Sequence, residues 1–114
     1  MDAVEMLLLF DYYGDMLTER QRMCLDLRYN QDLSLAEIAE ELGVSRQGVH
    51  DNITRAEVHL AKMEAKTGCV RRNLQSREVL QAILSVAQEL EQYPDPVVRD
   101  AIAKITAAAS SVEE

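Results

Sequence analysis

Seven residues between positions 45 and 55 carry the most specific chemistry in this chain: Ser45, Arg46, Gln47, His50, Asp51, Thr54 and Arg55. At about 100° per residue, Gln47, Asp51 and Thr54 fall on one side of a helix, flanked by His50 and Arg55. Val49, Ile53, Ala56, Leu60 and Met63 fall on the other side. Arg46 or Gln47 can meet a purine edge with two hydrogen bonds, and Asp51 can accept from cytosine N4. This is the equipment of a nucleic-acid reader. The competing reading is a solvated helix that serves packing or a protein partner, and two residues favour it. Gly48 weakens a helix by roughly 1 kcal/mol relative to Ala, and Asp51 sits where a phosphate-lined groove would repel it.

The elements that must position these groups are legible around them. In SLAEIAEELGVSRQGVHDNITRA, Ser34 to Ala56, Ser34 and Glu37 make a capping box. Leu35, Ile38, Ala39 and Leu42 then line one face at helical spacing. Gly43 supplies a positive φ that ends this helix at little steric cost. Val44 plugs the angle, and Ser45 caps the next helix. Ala39 is small where two crossing helices come closest. The segment predicts a helix-turn-helix, whose second helix places its first exposed residues in the major groove when the ligand is DNA.

Charge argues for restraint in that reading. The chain has 114 residues and a formal net charge of −8. Residues 1–66 carry seven Lys or Arg against thirteen Asp or Glu, and residues 67–114 five against seven. Affinity for bulk DNA comes mostly from neutralising phosphates, so such a chain should hold bulk DNA poorly. Screening beyond about 8 Å still leaves a local cluster around Arg46 and Arg55 able to act. Two prolines and four glycines among many helix formers point to an all-α protein.

Other chemistries find little support. His50 and His59 lie on different faces of one helix with no partner at metal or triad spacing, so both read as surface histidines. Neither a phosphate loop nor a nucleophile elbow nor HExxH appears. No enzyme activity, metal or cofactor is expected. Cys24 falls on an apolar face and reads as a buried thiol; Cys69 sits beside Gly68 in a connection and is expected to be exposed. No apolar run approaches the roughly 20 residues of a membrane span, and the acidic opening MDAVEMLLLF lacks a signal peptide's basic start. A cytoplasmic location is the expectation.

Along the rest of the chain, AVEMLLLFDYY (3–13) predicts a helix apolar on more than one face, broken at Gly14 and Asp15. Thr18 and Gln21 form a second capping box for a helix through about Tyr29, with Met23, Cys24, Leu27 and the stem of Arg20 inward. The recognition helix should run to about Lys66 and stop at Thr67-Gly68. A unit of residues 1–68 is then followed by a helical hairpin, 69–114, packing on the first unit or at a dimer interface. Its first helix carries Leu80, Ile83, Leu84, Ala87 and Leu90 as a stripe. Asp95 suits an N-cap and Pro96 a first helical turn, and Val98, Ile102 and Ile105 line the last helix. So much apolar surface beyond a small helix-turn-helix core predicts a homodimer.

LTERQRMCLDLRYNQDLSLAEIAEELGVSRQGVHDNITRAEVHLAKM resembles the fourth conserved region of bacterial sigma factors. With LLLFDYYGDMLTERQ and VSRQGVHDNITRAE, about residues 6–66 resemble more closely the YlxM family of small sigma-region-like proteins. That resemblance implies a bacterial DNA-binding regulator connected to the signal recognition particle and co-translational targeting. An adaptor contacting the particle's protein or RNA, or RNA polymerase, is the alternative it leaves open. Asn52 departs from the sigma pattern, which has an apolar residue there. Either the helix is rotated slightly or Asn52 hydrogen-bonds at the core margin.

Overall fold

A computed structural model describes residues 2–113, and no strand occurs among them. Six α-helices follow one another: α1 (Ala3–Tyr13), α2 (Glu19–Leu25), α3 (Leu35–Leu42), α4 (Arg46–Thr67), α5 (Cys69–Glu89) and α6 (Pro96–Glu113). The chain divides into two compact units, one ending at Val70 and one beginning at Arg71. The fold is an all-α helix-turn-helix bundle followed by a C-terminal helical hairpin.

Local chemistry sets the ends of these helices. Asp2 Oδ1 accepts from the Glu5 N–H at 2.8 Å and opens α1. Thr18 and Gln21 exchange both bonds of a capping box, at 3.1 and 3.2 Å, and open α2. Between α1 and α2, Gly14–Met16 form a short 3₁₀ turn rather than a plain break. The chain after α2 widens into a π turn, Asp26–Asn30, in which the Gln31 N–H reaches the Asp26 carbonyl at 3.2 Å. Gly43 ends α3 in the left-handed region, φ 68°, and Gly68 ends α4 the same way, φ 61°.

The first unit has one core. Met6, Leu9 and Tyr13 of α1 pack with Cys24 and Leu25 of α2 and Leu27 of the π turn. Ile38 and Ala39 of α3 join Val49, Ile53, Ala56 and Leu60 of α4 in the same cluster. Leu25, Ile38, Val49 and Leu60 are wholly buried, so α4 is the element on which α1, α2 and α3 all rest. Met23 and Arg20 are exposed, against expectation. Leu25 takes the inward place instead: Met23 points about 200° away from it around the helix.

The second unit is thinner. Ala87 and Ala109 are its buried residues, and Leu80, Leu84, Leu90, Val98, Ile102 and Ile105 are half-buried. Asp95 caps α6 by accepting from the Val97 N–H at 2.8 Å. Ile83 lies at the edge of the α5 stripe and is 44% exposed, a correction to its expected inward place. It joins Val79 and Val86, also exposed, in a second apolar row on α5.

The capping box of α3 has a pH signature. The Ser34 N–H donates to Glu37 Oε1 at 3.1 Å, and the Glu37 N–H donates to Ser34 Oγ at 3.1 Å. The first of these bonds, reinforced by the Ser34 side chain, holds the Glu37 carboxyl below the usual carboxylate range. A carboxyl whose folded value is depressed adds stability above its unfolded value, about 4.3. That contribution is lost as pH falls through the lower folded value. Glu37→Gln keeps the box without a titrating group. Its melting temperature should therefore fall less than the wild type's between about pH 5 and pH 3. Parallel curves in circular-dichroism melts would refute the assignment.

Candidate nucleic-acid interface

The turn between α3 and α4 is held by backbone bonds on both sides. The Gly43 and Val44 N–H groups both donate to the Ala39 carbonyl, the latter at 3.1 Å. Ser45 Oγ accepts from the Gly48 N–H at 3.0 Å and fixes the first turn of α4. A Cβ on Gly48 would come within 3.1 Å of that hydroxyl. The glycine that weakens the helix thus also leaves room for its cap.

Beyond the cap, Arg46, Gln47, His50, Asp51, Thr54 and Arg55 are exposed along α4, as is Ser45 itself. The core residues Val49, Ile53 and Ala56 point the other way. Arg46, Gln47 and His50 come together with Leu35 around an open concavity of about 400 Å³. Gln47 Nε2 donates to Asp51 Oδ1 at 3.0 Å, and His50 Nδ1 lies 3.7 Å from the same oxygen. Thr54 and Arg55 sit a turn further along, apart from this group.

Asn52 resolves the choice its sequence position left open. Its Nδ2 donates to the Gly48 carbonyl at 2.9 Å from a half-buried site, so it hydrogen-bonds at the core margin while Ile53 beside it is buried. Spacing alone pointed to Asn52 as an anomaly but not to its acceptor. Leu35 was read only as a core residue; its place at the first position after the Ser34 cap also brings it to the rim of the concavity.

Two phenols tie α4 to the rest of the unit. Tyr29 OH donates to Glu57 Oε1 at 3.0 Å. Tyr13 OH donates to Glu64 Oε1 at 2.7 Å and is hydrogen-bonded to the Thr67 hydroxyl. Glu64 Oε1 also accepts from the Val70 N–H at 3.1 Å. Burial raises the pKa of Tyr13 and of Tyr29, and the neighbouring Glu64 and Glu57 carboxylates add to it. These bonds fix the direction in which the exposed face of α4 looks. They were not legible beforehand, because they join residues 28 to 54 positions apart.

Cys24 is fully buried, and burial pushes its thiol pKa up. Cys69, expected in an exposed connection, is instead the first residue of α5, half-buried against the core. Helix α5 begins directly after Gly68, which leaves no connection for it to occupy. His50 and His59 are both exposed. Among the described residues, no group of three or more His, Cys, Asp or Glu could hold a metal. No helix among them is long and apolar enough to cross a membrane.

Known proteins resemble this chain in sequence. Residues 2–97 match the family UPF0122, described as "putative helix-turn-helix protein, YlxM / p13 like". A UPF0122 protein of Acetivibrio thermocellus is 50% identical over 91 residues, covering 75% of this chain and 78% of that protein. One of Desulforamulus reducens is 44% identical over 89 residues, with 78% and 76% covered. One of Listeria welshimeri is 40% identical over 98 residues, with 86% and 88% covered. A capped helix-turn-helix matched across most of the chain leads to one assignment: the protein belongs to the YlxM / p13-like UPF0122 family.

Proposed function

We propose that this chain is a cytoplasmic regulator that binds DNA through the first three turns of α4. The observation that carries the reading is the exposed row Arg46, Gln47, His50, Asp51, Thr54 and Arg55 on a helix whose opposite face is wholly engaged in the core. Ser45 contributes by holding the first turn, where backbone N–H groups and Arg46 favour a phosphate. Arg46 anchors the concavity and reads a purine edge. With a net charge of −8, the affinity rests on these few contacts rather than on a broad basic surface.

Binding should be followed by fluorescence anisotropy against duplex fragments of the cognate genome at low salt. Selective binding is expected, and Arg46→Ala should weaken it by roughly tenfold or more. Absence of binding at every salt concentration would end this reading. The regulator acts as a homodimer, which would present two copies of α4 to two half-sites. Exposed Val79, Ile83 and Val86 on α5 support self-association, and a monomer in sedimentation at tens of micromolar would refute it.

A second reading rests on the acidic surface. Glu37, Glu40 and Glu41 of α3 are exposed, and such a face steers basic partners toward it. In the targeting context that the family resemblance implies, the partner is the signal recognition particle, through its protein or RNA. RNA polymerase is the corresponding partner for a sigma-like role. Pulldown with the particle's protein subunit, with and without its RNA, separates the first two. Co-purification with polymerase tests the third.

A further inference from the structure

The exposed face of α4 is wired through a single carboxylate. Asp51 Oδ1 takes the Gln47 amide proton at 3.0 Å and stands 3.7 Å from His50 Nδ1. Gln47, one of the residues best placed to touch a base, is therefore tied to Asp51 in the free protein, with His50 beside the pair. The first turn carries one full positive charge, Arg46, and the next turn carries this negative one.

A carboxylate in the middle of a recognition face repels the phosphates of every duplex equally. Its favourable use in the major groove is to accept from an exocyclic amine, cytosine N4 or adenine N6, and adenine alone sets an acceptor, N7, beside that amine to repel the carboxylate. Guanine presents O6 and N7 there, two acceptors, and these are repelled. Gln47 strengthens the preference. It donates one amide proton to Asp51 Oδ1 at 3.0 Å and so holds the carboxylate in place as an acceptor.

From this we infer that Asp51 is the specificity-determining residue of the interface. It lowers affinity for duplex DNA in general, and it selects a cytosine-bearing edge through a carboxylate that Gln47 holds in place. Arg46, outside that pair, keeps the opposite preference and supplies the attraction. The inference rests on α4 being a DNA-reading helix, the function proposed above. It adds which group sets the choice of sequence and at what cost.

The test compares full-length wild type with Asp51→Asn and Gln47→Ala. Each is offered a randomised duplex pool for selection and a fixed random-sequence duplex for anisotropy titration. Asp51→Asn removes the charge and keeps the size. It should bind the random duplex several-fold more tightly and lose roughly tenfold in preference for the wild type's selected sequence. Gln47→Ala should keep a cytosine preference that is weaker than the wild type's. An Asp51→Asn protein with the wild type's selected sequence and the wild type's random-duplex affinity would overturn the inference while leaving DNA recognition intact. Failure of wild type and Asp51→Asn alike to bind any duplex would overturn DNA recognition and this inference together. Circular-dichroism melts of each variant show that the exposed substitutions leave the fold unchanged.

Discussion

Leu60→Ala is expected to destabilise the first unit by about 2–5 kcal/mol, the largest single effect among the variants considered. Leu60 is wholly buried in α4, within the cluster to which α1, α2 and α3 contribute. Truncation removes apolar contact and leaves a cavity that helices anchored on three sides cannot collapse to fill. A domain of this size has only about 4–10 kcal/mol of total stability. Each kcal/mol lost moves the melting temperature of so small a unit by about 4–8 °C, which predicts a fall of roughly 8–40 °C. Thermal and urea melts followed by circular dichroism measure it. A shift under about 4 °C would mean that α4 is not the hub of the core.

Gly43→Val is the second large effect, and its cause is purely conformational. Gly43 sits at φ 68°, ψ 34°, and a Cβ added there would meet nothing within 4 Å. The cost is therefore the left-handed backbone itself, about 1–2 kcal/mol for an ordinary residue and more for a β-branched one. Asn tolerates this region better than other residues, so Gly43→Asn should cost least, Gly43→Ala more and Gly43→Val most. The order in urea midpoints is the diagnostic. Equal midpoints for Asn and Val would show that the turn relaxes out of the left-handed region.

What could be read in advance followed the range of the interactions concerned. Both capping boxes, the left-handed Gly43, the Ser45 cap and the Asp95 cap are decided by groups two to four residues apart, and each formed as its residues require. The outward face of α4 was legible for the same reason, since one helix's periodicity separates Gln47 and Asp51 from Val49 and Ile53. Met23 was misassigned, and Leu25 passed over, because both fit an apolar spacing on a seven-residue helix, and only packing against the rest of the unit separates them. The π turn at Asp26–Asn30 carries no comparable local mark. The Tyr13 and Tyr29 bonds to α4 depend on the whole unit closing, so neither phenol stood out from its neighbours. Cys69 was misplaced by one short step: Gly68 alone makes the turn.

One carboxylate oxygen near the end of α4 has an architectural consequence. Glu64 Oε1 receives a phenolic proton from Tyr13 and a peptide proton from Val70. A residue inserted or deleted between positions 64 and 70 would move the Val70 N–H out of register with Glu64 and strip the peptide donor away. The interval between the two helices is thus dictated by hydrogen-bond stoichiometry at a shared acceptor. Length variation belongs instead at the exposed Tyr93–Asp95 bend.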